Sequence, residues 1–142
     1  MTFQNPSPEA IKALLRRVKT IAVVGLSPKP ARPSFGVSQA MQRFGYRIVP
    51  VRPALAEVLG EKAYARLADI PFSVDLVNVF RESAAIPEVV DEVLAFAQTH
   101  GAPALWIQEG IVHDEAAEKA RAAGLTVVMD RCIYKDHVRW MP

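Results

Sequence analysis

The strongest constraint on the fold is the alternation of short apolar segments with amphipathic ones along the 142 residues. Segments 20–25 and 46–51 are β-branched and apolar without alternation, which is typical of strands buried on both faces. The intervening segment 34–44 carries apolar residues at helical spacing and is followed by Gly45, a common residue just past a helix end. Alternating strands and helices predict a parallel sheet with helices on both faces.

Along the whole chain this pattern predicts five strands, at 20–25, 46–51, 75–80, 104–108 and 125–129. It also predicts four helices, at 8–18, 34–44, 83–100 and 114–123, of which the first packs on the sheet. Segments 54–73 and 130–142 have no clear period. We therefore expect one Rossmann-like α/β domain over residues 1–142, with a five-stranded parallel sheet in the order 3-2-1-4-5.

Composition excludes several classes of function. Hydrophobic residues make up 51% and charged residues 23%, which is globular rather than disordered composition. The net charge is only +2 and no basic block is present, so no nucleic-acid partner is expected. Neither a signal-like start nor a run of 18 apolar residues occurs, and the only cysteine cannot form an internal disulfide. These features predict a cytoplasmic protein that does not cross a membrane.

In an open parallel sheet a ligand binds outside the carboxyl ends of the strands. This rule selects the five loops 25–34, 52–54, 80–83, 108–112 and 130–132. We expect their polar side chains to indicate the ligand.

The first loop has the composition of a phosphate site. Gly25 allows a ligand to approach the backbone, Ser27 and Ser34 offer hydroxyls, and Lys29 and Arg32 add positive charge. Ser34 is also expected to cap the following helix, whose N-terminus attracts anions. The other reading is a rigid, proline-rich surface turn. The loop is neither a dinucleotide fingerprint nor a Walker A loop, because it lacks their glycine spacing.

The end of the second strand is more discriminating. Enzymes that use NAD place a carboxylate there to bind the ribose 2′-hydroxyl, but this chain has Arg52. A guanidinium fits a phosphorylated ribose, as in NADP or in the 3′-phospho-ADP of coenzyme A. Alternatively, Arg52 faces solvent. Pro53 either packs against an adenine or simply ends the strand.

The later loops offer fewer clues. Arg81 either lies near ligand phosphates or pairs with Glu82 or Glu109. The neutral amide of Gln108 suits a ligand chain that contains amides, and Gly110 permits close approach of the backbone. These residues extend the predicted site along the carboxyl edge of the sheet.

The cysteine and the histidines raise two questions, namely whether the chain has a reactive thiol and whether it has a metal site. Cys132 follows Arg131 just past a strand, where a reactive thiol is possible, although a buried structural cysteine is the alternative. The three histidines have no ligand spacing with it, so no metal site is expected.

Taken in order, six segments resemble the small stand-alone CoA-binding proteins. These are similar to the CoA-binding domain of the succinyl-CoA synthetase α subunit and of ADP-forming acyl-CoA synthetases. The segments are 24–28, 32–34, 51–53, 75–81, 106–110 and 129–132.

The resemblance implies a Rossmann-like fold that binds coenzyme A or acyl-CoA through these loops. It implies phosphate contacts from the first loop, adenosine contacts at Arg52 and Pro53, and a pantetheine arm along 108–110. The binding residues would be Gly25, Ser27, Pro28, Lys29, Arg32, Ser34, Arg52, Pro53, Phe80, Arg81, Gln108, Glu109 and Gly110.

The chain departs from the synthetases in two respects. Their phosphate loop has glycine where this one has proline, so side chains would contribute more of the contacts here. The phosphorylated histidine domain and the ATP-grasp parts of the synthetases are not found in these 142 residues. Binding without intrinsic catalysis is therefore expected, and an NADP-binding reductase or redox sensor is the alternative. No catalytic residue is assigned, and the protein partner is left open.

Overall fold

The computed structural model describes residues 2–141, which form five α-helices, two short 3-10 helices and seven strands. The helices are α1 (Pro8–Arg17), α2 (Pro33–Arg43), α3 (Ile86–His100), α4 (Asp114–Ala122) and α5 (Ile133–Trp140). The strands are β1 (Thr20–Val24), β2 (Arg47–Val51), β3 (Glu57–Val58), β4 (Glu61–Lys62), β5 (Leu76–Val79), β6 (Ala104–Ile107) and β7 (Val127–Met129). None of the helices in this part of the chain is both long and apolar enough to cross a bilayer.

The main sheet has five parallel strands in the order β2-β1-β5-β6-β7. The predicted five-stranded parallel sheet is therefore confirmed. The predicted order 3-2-1-4-5 is wrong, because β5, the third predicted strand, pairs with β1 instead of lying outside β2.

The position outside β2 is taken by the segment that follows it. This segment forms the hairpin of β3 and β4, and then Tyr64 makes an isolated parallel bridge to Val51. The Tyr64 N–H donates to the Pro50 carbonyl at 3.0 Å, and the Arg52 N–H donates to the Tyr64 carbonyl at 2.8 Å. With Tyr64 counted as a one-residue strand, the order becomes the Rossmann order 3-2-1-4-5-6. The prediction failed because a single bridge has no hydrophobic period.

Helices cover both faces of the sheet, as predicted. On one face α3 and α4 bury Val90 and Ala117 against Val77 of the central strand β5. On the other face α1, α2 and α5 supply the apolar side chains Leu14, Met41 and Ile133. The strands are buried from both sides, which accounts for their uninterrupted apolar sequences.

The first two helices begin differently. Ser7 caps α1 as its sequence suggests, accepting a hydrogen bond from the Ala10 N–H at 3.2 Å. α2 begins one residue before the expected cap, at Pro33, so the prediction that Ser34 caps it is wrong. The Ser34 hydroxyl instead accepts a hydrogen bond from the Ser27 N–H, at 3.0 Å.

α5 lies in a segment for which no helix was predicted. Its buried residues are Ile133 and the charged Asp136. The neighbouring His137 ring stacks on Phe44, with 4.1 Å between ring centroids. Because polar side chains occupy two of the packed positions of this short helix, its apolar residues are too few to show a clear helical period in the sequence.

His137 makes the stability of the α5 packing depend on pH. Its Nδ1 is buried without a hydrogen-bond partner in residues 2–141, and burial lowers its pKa below the usual 6.5. The unfolded chain therefore binds a proton more readily than the folded one. We expect this contribution to be complete above pH 6.5 and to decrease as the pH falls toward the lowered folded-state pKa. Urea denaturation at several pH values measures it.

A His137→Leu variant provides the comparison, because leucine cannot titrate. Between pH 7.5 and pH 5.5 the variant should lose less free energy of unfolding than the unsubstituted protein. Equal losses in both proteins would show that the His137 pKa is not lowered by folding.

Candidate functional site

A cleft of about 1130 Å³ opens at the carboxyl ends of the parallel strands. Ligand pockets commonly measure roughly 300–1,000 Å³, so the cleft can accommodate a large ligand. Its walls include every residue predicted for the site except Gly110. The carboxyl-end loops thus come together in one cleft, as the loop rule required.

Gly110 lies in the same loop but does not line the cleft. Its N–H donates to the Asp130 carboxylate at 2.8 Å, and its φ of +86° suits glycine. Gly110 therefore shapes the turn after β6 and ties it to the residue that follows β7.

The floor of the cleft depends on the missing side chain of Gly25. Its φ is +87°, and its N–H donates to the Val51 carbonyl at 2.9 Å. A Cβ at this position would lie 2.4 Å from the Phe80 carbonyl oxygen. Only glycine lets the ends of β2, β1 and β5 meet this closely.

Two serine hydroxyls hold the proline-rich loop in shape. The Ser27 N–H donates to the Ser34 Oγ at 3.0 Å, and the Lys29 N–H donates to the Ser27 Oγ at 3.1 Å. Since both hydroxyl oxygens act as acceptors here, their own protons remain available for an anion in the cleft. Pro28 is exposed beside them.

The charge of the cleft favours an anionic ligand. Five cationic and two anionic side chains line it: Lys29, Arg32, Arg52, Arg81, Lys135, Glu82 and Glu109. Arg81 pairs with Glu82 at 3.4 Å, and Lys135 pairs with Glu109 at 2.9 Å.

These pairs leave three cations without an acidic partner in residues 2–141, namely Lys29, Arg32 and Arg52.

The pKa of Glu82 is lowered by hydrogen bonds from its own backbone and from Arg81. Glu82 therefore stays ionised, and the pair is neutral as a unit.

Arg52 lies directly after β2 and is half-buried. Its backbone is fixed by the hydrogen bond to Tyr64, while its side chain lines the cleft. Pro53 is exposed next to it, and Ala54 turns the chain with a φ of +62°. Arg52 thus borders the cleft at the edge of the sheet, where a dinucleotide enzyme keeps its carboxylate.

Gln108 presents a fixed amide to the cleft. Its side chain is buried, and the residue is only 5% exposed. The Oε1 accepts hydrogen bonds from the Asn78 Nδ2 at 3.2 Å and the Ile133 N–H at 3.4 Å. Because a backbone N–H can only donate, the oxygen must face Ile133, so the amide nitrogen is left for the cleft. No acceptor for this nitrogen is present in residues 2–141.

Nine residues of the cleft wall were not among the predicted binding residues, although the five selected loops contain five of them. They are Pro33, Val37, Ala54, Leu55, Glu82, Ile111, Cys132, Tyr134 and Lys135. The last three come from the start of α5 and its preceding loop. Extending the loop rule past residue 132 by one helical turn would have found Tyr134 and Lys135.

The chain matches a known protein family over most of its length. The CoA binding domain family matches residues 19–138 of the chain. A Bacillus subtilis (strain 168) protein, uncharacterized protein YneT, is 48% identical over 135 residues, which cover 95% of this chain and 97% of that protein. The acetate–CoA ligase (ADP-forming) II of Archaeoglobus fulgidus is 32% identical over 76 residues, covering 52% of this chain and 11% of the ligase.

At least one solved structure shares the fold over the full length of the chain. A hypothetical protein from Pyrococcus horikoshii OT3 superposes with a TM-score of 0.89 at 35% identity, and the match covers 100% of both chains. The family match spans the strands and loops that build the cleft. The chain therefore belongs to the CoA binding domain family.

Proposed function

We propose that the chain binds coenzyme A or an acyl-CoA in this cleft, through the loops at the carboxyl ends of its strands. Family membership supports CoA as the ligand. The observation that carries the proposal is Arg52, which lines the cleft and has no acidic partner in residues 2–141. A guanidinium in that position suits the extra phosphate on the ribose of CoA.

The other groups of CoA then follow the order of the strands. The diphosphate would lie over Gly25, within reach of the Ser27 and Ser34 hydroxyls and the α2 N-terminus. Lys29 and Arg32, both exposed at the rim, would neutralise its charge. The pantetheine arm would extend toward β6, where the Gln108 amide can donate to one of its carbonyls.

We further propose that binding occurs without phosphoryl transfer. A synthetase mechanism needs a nucleophile that accepts the phosphoryl group, commonly a histidine. None of the histidines in residues 2–141 lines the cleft. A role as carrier, sensor or partner subunit fits these residues better.

Removal of the Arg52 side chain tests the proposal. Arg52→Ala should weaken CoA binding by about 1.5–3 kcal/mol, the value of a hydrogen bond to a charged group. This corresponds to roughly 10- to 150-fold in Kd, measured by isothermal titration calorimetry. Dephospho-CoA, which lacks the ribose phosphate, should bind the unsubstituted protein and Arg52→Ala equally well.

Arg16→Ala is the matched control, since Arg16 is exposed on α1, outside the cleft lining. Like Arg52→Ala, this substitution lowers the net charge by one, but it should leave the CoA affinity unchanged. Equal affinities for CoA and dephospho-CoA would remove the role of Arg52, and no binding of either would refute the proposal. Tighter binding of NADPH than of CoA would favour the dinucleotide alternative.

A further inference from the structure

Cys132, the only cysteine in the chain, lines the same cleft as Arg52 but at its opposite end. Arg52 follows β2 and Cys132 follows β7, and these are the two outer strands of the sheet. Four strand spacings separate them, or roughly 19 Å. In CoA the ribose phosphate and the thiol are likewise at opposite ends of the molecule. A ligand anchored at Arg52 and extended across the sheet would therefore bring its sulfur toward Cys132.

A second observation points to the same place. The buried Gln108 amide nitrogen has no acceptor in residues 2–141, and the Gln108 oxygen is bonded to the N–H of Ile133, the residue after Cys132. The last amide of pantetheine is joined to the thiol by only two methylene groups. If Gln108 donates to the carbonyl of that amide, the thiol falls close to Cys132.

The loop that carries Cys132 is held on both sides. The Trp106 indole N–H donates to the Arg131 carbonyl at 2.8 Å, and the Asp136 N–H donates to the Cys132 carbonyl at 3.0 Å. The residue is only 7% exposed, and it lines the cleft. Access to its sulfur is thus through the cleft itself.

Lys135 lines the cleft together with Cys132. The pKa of Lys135 is raised, first by its hydrogen bond to Glu109 and then by attraction to that carboxylate. The pair of Lys135 and Glu109, 2.9 Å apart, thus borders the part of the cleft that contains the sulfur.

We propose that Cys132 forms a mixed disulfide with CoA by exchange with CoA disulfide, so that the oxidised form of the ligand occupies the cleft covalently. This inference rests on the proposed binding of CoA. The Cys132 thiolate attacks one sulfur of CoA disulfide, a new S–S bond forms, and the original S–S bond breaks. The second CoA leaves as a thiolate and takes the proton that Cys132 gave up. Cys132 is oxidised and the departing CoA sulfur is reduced, so no other oxidant is needed.

The exchange has a regulatory consequence. Residues 1–142 contain no second cysteine to displace the bound CoA. The mixed disulfide would persist until an external thiol reduces it, and meanwhile no second CoA could enter the cleft. CoA occupancy would thus respond to the redox state of the CoA pool.

Intact-protein mass spectrometry tests the proposal. The chain is incubated with CoA disulfide or with glutathione disulfide at the same concentration, with and without excess desulfo-CoA, which has no sulfur to exchange. We expect one CoA moiety per chain, released by dithiothreitol and absent in Cys132→Ser. CoA disulfide should react at least about tenfold faster than glutathione disulfide, since binding orients its sulfur, and desulfo-CoA should slow it.

Gln108→Glu tests the positioning role of the amide. Glutamate keeps an acceptor for Asn78 and Ile133 but removes both donors. The ratio of its rate with CoA disulfide to its rate with glutathione disulfide should fall by about tenfold relative to the unsubstituted protein, because the second rate corrects for any change in the reactivity of the thiol itself. An unchanged ratio would refute the role of Gln108.

The outcomes separate this inference from the binding proposal. Equal rates with both disulfides, without protection by desulfo-CoA, would show an ordinary thiol and overturn the inference. The absence of any adduct would also overturn it, and calorimetry of CoA with the reduced protein would then decide independently whether the cleft binds CoA.

Discussion

Gly25→Ala is expected to destabilise the protein by about 3 kcal/mol or more and to abolish CoA binding. A left-handed backbone conformation alone costs an alanine about 1–2 kcal/mol. The new Cβ would also lie 2.4 Å from the Phe80 carbonyl oxygen, which is a backbone atom. A side chain could rotate away from such a contact, whereas a strand end cannot do so without breaking its ladder.

The hydrogen bonds on either side of Gly25 explain why relief is difficult. The Gly25 N–H is bonded to Val51 and the Phe80 N–H is bonded to Val24, both at 2.9 Å. Relieving the contact would separate β5 from β1 just where the proposed diphosphate site lies. Equilibrium urea denaturation measures the stability, and calorimetry with CoA measures the binding.

Gly36→Ala is the control for this substitution. Gly36 lies in α2, and a Cβ built there meets no atom within 4 Å. Alanine should stabilise the helix by about 0.5–1 kcal/mol, because glycine is the poorer helix former. If both substitutions changed the stability equally, the close approach at Gly25 would not be the cause.

Much of the candidate site could be predicted because the carboxyl-end rule needs only the positions of the strands. The uninterrupted apolar runs, such as the one around β5, locate those strands to within one or two residues. Once they are located, the residues that follow them are fixed in space by the parallel topology. Arg52 and Gln108 line the cleft for this reason, although no local motif identifies either of them.

The features that were missed depend on contacts distant in sequence. Tyr64 joins the sheet through one bridge, which leaves no periodic signal. Ser34 has the sequence context of a helix cap, but its hydroxyl is taken by the N–H of Ser27, seven residues earlier. A propensity for capping cannot anticipate this competing donor, because the fold of the loop supplies it.

α5 is the clearest case, because a buried ion pair holds it together with its apolar contacts. The Arg131 Nε and Nη2 donate to the two Asp136 oxygens at 2.6 and 2.9 Å. The Asp136 side chain is only 5% exposed, whereas that of Arg131 is 30% exposed. The carboxylate pairs with one cation inside the protein, and this pairing fixes the loop that carries Cys132.

Arg131→Ala is therefore expected to destabilise the protein by about 3–5 kcal/mol, because it leaves a buried carboxylate without its cation. Asp136→Ala should cost less, since the partly exposed Arg131 can then turn toward water. Urea denaturation of each variant gives the free energies of unfolding. Each variant removes one member of the same pair. The difference between their free energies of unfolding therefore compares leaving the buried Asp136 unpaired with leaving the partly exposed Arg131 unpaired.

The double variant Arg131→Met, Asp136→Leu removes both charges at once and replaces them with apolar side chains. Replacing a buried ion pair by apolar side chains of similar volume is often neutral or stabilising, so the double variant should be more stable than Arg131→Ala. Destabilisation that equals the sum of the two single losses would contradict this account. It would mean that each side chain stabilises α5 independently, Arg131 through its stacking over Trp140 at 5.2 Å, for example. A strongly stabilised double variant would instead show that the ion pair contributes less to stability than apolar side chains of similar volume.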